Sequence, residues 1–161
     1  MLSDDLTAPS ERIAATLRAR GETVAVAEGS AGGLVSASLL SVPGASAYFV
    51  GGGVIYTFAA SREWMAGPVD VPVGLRGATE DFARYLARSA AARLETTWGL
   101  GEAGAAGPPN RYGDPAGHSW MAVAGPDEAT RHVLTGHDER VANMEAFAAA
   151  TLNLFAEVLT R

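Results

Sequence analysis

A glycine-rich turn is the first place in the chain where residue types and spacing could serve a ligand. The apolar run 24–27 leads into Glu28-Gly29-Ser30-Ala31-Gly32-Gly33, and helical spacing begins at Leu34. Glycines let the backbone approach a ligand closely, and the first free amides of a helix attract anionic or carbonyl oxygens. The spacing matches neither G-x-G-x-x-G nor the G-x-x-x-x-G-K-[ST] phosphate motif. Ligand binding and simple tight packing are therefore both open. The candidate ligand-binding residues of this turn are Glu28, Gly29, Ser30, Gly32 and Gly33.

Three carboxylates lie close to glycines and could do acid-base work. Glu28 closes the first predicted strand, where it either contacts a ligand or caps the free amides of the next helix. Glu102 and Asp114 flank the second glycine-rich segment. Paired carboxylates can exchange protons with a substrate, but the sequence does not fix the separation of these two.

Residues 104–117 form the second candidate segment. They contain too many glycines and prolines for a helix or strand, and a loop of this length in a compact domain is usually functional. Gly107, Asn110 and His118 are its candidate ligand-binding residues. The histidines of the chain are too far apart for a local metal motif, so we predict no metal site.

Two hydroxyls flank a predicted strand over 48–56. Ser46 follows a Pro43-Gly44 turn and could act as a nucleophile if a base were adjacent. Tyr56, at the far end of the strand, could donate to a carbonyl or relay a proton. The alternatives are an ordinary turn serine and a tyrosine that anchors the edge of the core.

The apolar periodicity predicts the elements that must position these residues. Helices are expected over 7–20, with Pro9 in the first turn, over 34–40, from a Thr79 cap to about Leu94, and over 139–159. Strands are expected over 24–27, 48–56 and 98–103, with a hairpin of 119–124 and 131–135. Gly51-Gly52-Gly53 indicates a bulge or a close backbone approach, and residues 67–77 are expected to form a loop. The three tryptophans, Trp64, Trp98 and Trp120, are expected at core or interface positions. This alternation predicts one domain, 1–161, with an α/β three-layer α/β/α sandwich on a mixed sheet.

Composition narrows the function classes. With 161 residues and 48% hydrophobic content the chain can bury a core, while a net charge of -6 argues against nucleic acid and acidic membrane surfaces. No cysteine is present, and all 12 basic side chains are arginine. The acidic start and the lack of an apolar run of roughly 18 residues favour a cytoplasmic protein. We expect a small-molecule ligand and a homo-oligomer.

Several short motifs, in one order, resemble the CinA C-terminal domain family. A-E-G-S-A-G-G at 27–33 resembles the family's A-E-S-C-T-G-G, and G-A-S-A-Y-F at 44–49 its G-S-S-x-W-F. The other matches are V-I-Y-T at 54–57, A-T-E at 78–80, A-G-P at 106–108 and P-A-G at 115–117.

This resemblance implies an amidohydrolase that releases ammonia from nicotinamide mononucleotide without a cofactor. It places the nucleophile on Ser46 and an assisting tyrosine on Tyr56, with a pocket formed by the glycine turn, the strand between these two residues and the 104–117 loop. The family's lysine falls on Ser61, and Arg62 cannot act as a base because a guanidinium stays protonated.

The chain departs from the family pattern at the implied site. Gly29, Ser30 and Ala31 replace serine, cysteine and threonine, Pro109 replaces an aspartate, and 110–114 is inserted. Two functions follow as hypotheses, besides that of an assembly subunit whose aromatic faces make oligomer contacts. Either Ser46 hydrolyses an amide with His118 or Glu28 as base, or the chain is a non-hydrolytic nucleotide- or small-ligand-binding relative.

Overall fold

Short runs of small and apolar residues form the centre of a five-stranded mixed sheet with the order β2-β1-β3-β4-β5. The computed structural model describes residues 1–67 and 69–161. Strands β2 and β3 lie on either side of β1 and run parallel to it. Strand β4 pairs with β3 in the antiparallel direction, and β5 pairs with β4 in the same way. The strands are β1 Val24–Glu28, β2 Phe49–Val54, β3 Trp98–Ala105, β4 His118–Ala124 and β5 Ala129–Leu134.

Five α-helices cover both faces of this sheet. They are α1 Asp4–Arg20, α2 Leu34–Leu40, α3 Phe58–Met65, α4 Glu80–Leu94 and α5 Arg140–Val158, and a short 3-10 helix spans Ala45–Ala47. Helices α1, α2 and α5 pack together on one face, and α3 and α4 on the other. Because both faces are covered, every residue of β1 is buried. Val24 and Val26 belong to one core, Ala25 and Ala27 to the other. The predicted α/β fold on a mixed sheet is confirmed.

Glycines in β3 bring α4 against the sheet. A Cβ on Gly99 or Gly101 would overlap the backbone carbonyls of Ala87 and Ala83. Ala83, nearer the start of α4, therefore lies over the later of the two glycines, so the helix runs back along the strand. Its first turn consequently lies where β3 ends. Thr79 caps that turn as predicted, its Oγ1 accepting from the Phe82 N–H at 3.2 Å.

The observed elements differ from the predictions at several boundaries. Helix α1 begins at Asp4, where acidic residues favour the positive end of the helix dipole, so Pro9 lies inside the helix rather than in its first turn. Helix α3 was not predicted, although the Thr57 side chain caps it. Its Trp64 is 57% exposed, so this residue does not lie in the core, and the interface position, which was the other alternative, stays a prediction.

The bulge and the close backbone approach predicted at the glycine triplet of β2 are confirmed. Val24 pairs with Phe49 and Ala25 with Gly51, which leaves one extra residue on β2, and a Cβ on Gly52 would overlap Ser36. In the predicted loop 67–77, position 68 lies outside the described residues, and the others belong to neither helix nor strand. None of the helices described is both long and apolar enough to span a bilayer.

Candidate functional site

A cleft of about 520 Å³ lies at the carboxyl ends of β1, β2 and β3. The chain leaves β1 towards β2 on one side, whereas β3 lies on the other, and ligands of open α/β sheets bind at such a switch point. The cleft has a floor and a rim. The cleft floor is formed by segments 29–31 and 103–104, and the cleft rim by segments 76–78 and 110–114; within these segments, Ala31 and Gly113 do not line the cavity. Segment 55–59 and Phe82 complete the lining, and they contribute three aromatic side chains: Tyr56, Phe58 and Phe82.

Glu102 holds the cleft floor from below. Its side chain is fully buried, and it accepts hydrogen bonds from the backbone N–H groups of Gly29 at 3.1 Å and Ala31 at 2.8 Å. The hydroxyls of Ser30 and Ser119 donate to its other oxygen at 2.5 and 2.6 Å. Burial raises the pKa of Glu102, while the hydrogen bonds act in the opposite direction. The carboxylate fixes three consecutive residues of the turn.

Glu28 acts in the same way on the start of α2. Its oxygens accept from the backbone N–H groups of Gly33, Val35 and Ser36 at 3.0, 3.1 and 2.9 Å. The residue is fully buried and does not line the cleft. Of the two interpretations open for Glu28, the structure shows the helix cap. The sequence left open how far Glu102 lies from Asp114; in the structure Glu102 is paired in register with Glu28 on the adjacent strand, and Asp114 lies in the cleft rim.

The cleft rim is joined by an ion pair. The Arg76 guanidinium donates to both oxygens of Asp114, at 2.9 and 3.1 Å. Asn110 donates to the same carboxylate at 3.0 Å, and its own oxygen accepts from the Asp114 N–H. Burial raises the pKa of Asp114, but the hydrogen bonds from Arg76 and Asn110 outweigh burial, and the pKa is lowered. Asp114 therefore stays ionised and links the two segments of the rim.

Two further arginines contact the tyrosines of the cleft. Arg111 stacks on the Tyr112 ring and donates to its hydroxyl at 2.7 Å. Arg140, at the start of α5, donates to the Tyr56 hydroxyl at 2.8 Å and to the Gly107 carbonyl at 2.5 Å. Gly107 thus connects α5 with the 104–117 loop, and its own atoms lie outside the lining.

His118 contacts another histidine instead of the cleft. One of its ring nitrogens lies 2.8 Å from the Ala78 carbonyl, and the other lies 2.5 Å from His132. Since a carbonyl only accepts, the Nε2 of His118 carries the hydrogen of its contact with Ala78. This contact supports the cleft rim from behind. In residues 1–67 and 69–161, no three histidine, aspartate or glutamate side chains are arranged as metal ligands.

Ser46 is the predicted site residue that the structure separates from the others. It is exposed in the 3-10 helix before β2, whereas Tyr56 follows that strand. The six residues of β2 span about 20 Å, so the two hydroxyls lie at opposite ends of the sheet. The expectation that Ser46 and Tyr56 share one pocket is therefore corrected.

The remaining candidates divide into two groups. Gly29, Ser30, Tyr56 and Asn110 line the cleft. Gly32 and Gly33 do not, and Gly32 packs under α5, where a Cβ would come within 2.6 Å of the Met144 methyl group. Sequence reasoning missed Arg76 and Phe82. The Thr79 cap, which lies between them, was the available signal that both flank the end of β3.

The model of the CinA C-terminal domain matches residues 6–159. The chain belongs to the CinA C-terminal domain family. A CinA-like protein of Anaeromyxobacter sp. (strain K) is 37% identical over 145 residues, which is 88% of this chain and 36% of that protein. One of Myxococcus xanthus is 36% identical over 149 residues, 89% of this chain and 35% of that protein. The chain thus spans about a third of the length of these CinA relatives.

Solved CinA-superfamily structures share the fold over nearly their whole length. Competence/damage inducible protein CihA from Agrobacterium tumefaciens superposes with a TM-score of 0.89 at 22% identity, covering 100% of this chain and 99% of that one. A CinA superfamily protein from Escherichia coli gives 0.86 at 19% identity, covering 100% and 94%. At these identities the likeness establishes the CinA fold, and the chemistry must be argued from the residues of the cleft.

Proposed function

We propose that this CinA-family chain binds nicotinamide mononucleotide, or a closely related mononucleotide, in the cleft and leaves the carboxamide intact. The volume of about 520 Å³ lies in the range of small-molecule sites. The family resemblance supports the ligand class, and the separation of Ser46 from Tyr56 is the observation that supports binding without hydrolysis.

Aromatic side chains favour a flat, cationic ring in this cleft. Phe82 is mostly buried, and the ring of Phe58 lies 6.1 Å from it, centroid to centroid. Tyr56 lines the same cavity. Aromatic faces attract planar rings, and they attract cationic ones more strongly. A pyridinium ring combines both properties.

Arginines of the cleft rim favour an anionic group on the same ligand. Arg111 and Arg76 both line the cavity, and Arg76 already shares its charge with Asp114. A guanidinium binds phosphate through paired hydrogen bonds. Arg111 is therefore the stronger candidate for the phosphate, because in the described residues its guanidinium contacts a tyrosine and no carboxylate.

Hydrolysis of the amide needs a nucleophile and a proton donor for the departing nitrogen. Ser46 lies about 20 Å from Tyr56 along β2, and the chain contains no lysine. Ser30 does line the cleft floor, but it donates to Glu102. That carboxylate is buried beneath the turn, so a proton it accepted would return to Ser30 instead of reaching a leaving nitrogen.

Calorimetry combined with an ammonia assay tests the proposal. We expect saturable binding of nicotinamide mononucleotide, weaker binding of the riboside that lacks the phosphate, and no ammonia above the rate without protein. Ser46→Ala should leave the affinity unchanged, because this serine lies outside the cleft. Ammonia release by the wild type that is lost in Ser46→Ala would instead establish the hydrolytic alternative, and no detectable binding would refute the ligand class.

A further inference from the structure

We propose that Ser30 is a reactive hydroxyl that accepts phosphonyl or acyl groups whose leaving group departs as an anion. This activity goes beyond the nucleotide binding proposed above and does not depend on it. It follows from the contact between Ser30, which lines the cleft floor, and Glu102 beneath it.

The hydrogen bonds around Glu102 favour its ionised form, against the effect of burial. Its Oε2 accepts from two backbone N–H groups, of Gly29 and Ala31, which can only donate, so this oxygen carries no proton. Its Oε1 lies within hydrogen-bond distance of two hydroxyls, of Ser30 and Ser119. Four donors around one carboxylate favour the anion. The anion is then the acceptor for the Ser30 hydrogen.

Burial makes this carboxylate a better base than one in water. Glu102 is fully buried, and burial is the largest effect on its pKa, which is raised. The neighbouring carboxylate of Glu28 acts in the same direction. Ser30 thus has a nucleophilic oxygen at the cleft and a base 2.5 Å away on the buried side.

The reaction with a fluorophosphonate shows the chemistry expected of this pair. Ser30 Oγ forms a bond to phosphorus, its proton passes to Glu102 Oε1, and the phosphorus–fluorine bond breaks as fluoride takes the bonding electrons. No proton has to reach the leaving group. This distinguishes the reaction from amide hydrolysis, in which the departing nitrogen must be protonated.

The test is labelling of the purified chain with a small alkyl fluorophosphonate, followed by intact-protein and peptide mass spectrometry. We expect one adduct per chain, located on Ser30 and absent in Ser30→Ala. Ser46→Ala is the matched control, an exposed serine outside the cleft, and should label like the wild type. An adduct on any other residue, or equal labelling of wild type and Ser30→Ala, would overturn the proposal.

Two variants test the role of Glu102. Glu102→Gln removes the base and should slow labelling about 100-fold, the lower end of the usual contribution of a general base. Because this variant could also disturb the fold, Ser119→Ala provides a second measurement. It removes one donor from the oxygen that faces Ser30 and leaves the carboxylate, so labelling should be at least as fast as in the wild type. Slower labelling of folded Ser119→Ala would contradict a base role for Glu102.

Discussion

Buried carboxylates hold the cleft floor, whereas a partly exposed ion pair joins the cleft rim. Glu102 is 0% exposed and makes four hydrogen bonds to the floor and its support. In the rim, the side chain of Arg76 is 49% exposed and that of Asp114 is 8% exposed. A buried donor that loses its partner costs far more than a solvated ion pair that opens. The floor is therefore the fixed part of the site, and the rim is the part that can adapt to a ligand.

The largest expected effect is that of Glu102→Ala. The variant leaves the Ala31 N–H and the hydroxyls of Ser30 and Ser119 without their acceptor, and we expect it to lower the free energy of unfolding by about 3–5 kcal/mol. The Gly29 N–H keeps the backbone carbonyl of residue 102 as acceptor. Urea unfolding followed by circular dichroism measures the change. Glu63→Ala, an exposed glutamate on α3, is the control and should change stability by less than about 0.5 kcal/mol. A loss below about 1 kcal/mol for Glu102→Ala would show that the floor does not depend on this carboxylate.

Matched glycine substitutions compare the floor with the rim directly. A Cβ on Gly104 would lie 2.5 Å from Ser119 and 2.6 Å from the His118 carbonyl, whereas one on Gly113 meets nothing within 4 Å. Gly104→Ala should cost about 2–3 kcal/mol through overpacking. Gly113→Ala should cost about 1 kcal/mol, because its positive φ of 84° disfavours a side chain. Thermal unfolding measures both losses of stability. Equal losses would mean that the floor is not more tightly packed than the rim.

The arginine of the rim should affect binding and not stability. Arg111→Ala is expected to weaken the binding of nicotinamide mononucleotide about tenfold in calorimetry, which corresponds to about 1.4 kcal/mol, by removing a charged hydrogen bond to phosphate. The riboside should bind wild type and variant equally. Arg62→Ala, an exposed arginine outside the cleft, serves as control. An equal loss for the riboside would mean that Arg111 does not contact the phosphate.

The smallest effect is the pH dependence of the rim ion pair. The pKa of folded Asp114 lies below its unfolded value of about 3.9, so its contribution to stability is present above that pH and is lost as the pH falls through the folded pKa. Because Arg76 is half exposed, the contribution is less than about 1 kcal/mol. Asp114→Asn should lower the melting temperature slightly at pH 7, and the difference should shrink towards about pH 3. A difference that stays constant would assign the effect to packing.

The same contrast explains what the sequence could predict. Local signals placed α2 at its observed bounds and identified Thr79 as a cap, because both depend on neighbours in the chain. The contact of Glu102 with the turn that follows β1 was not predictable in this way, since β1 and β3 are adjacent only in the folded sheet. Arg76 and Asp114 are likewise far apart in the chain, at positions that differ by 38.

The error over Ser46 has a simpler origin. The motifs gave positions along the chain, but not the end of the sheet at which each lies. A strand of six residues already separates its ends by about 20 Å, which excludes a direct contact between the residues that flank it. Tyr56 lay at the correct end because it follows β2 in the same direction as Gly29 follows β1.

One nuclear magnetic resonance experiment tests the central claim, that the cleft binds a nicotinamide mononucleotide without hydrolysing it. Saturation-transfer difference spectra report binding of the pyridinium ring, and repeated proton spectra of the same sample report the carboxamide. We expect saturation transfer that is reduced in Phe82→Ala, together with a carboxamide that stays intact for as long as in a sample without protein. Protein-dependent accumulation of nicotinic acid mononucleotide would contradict it.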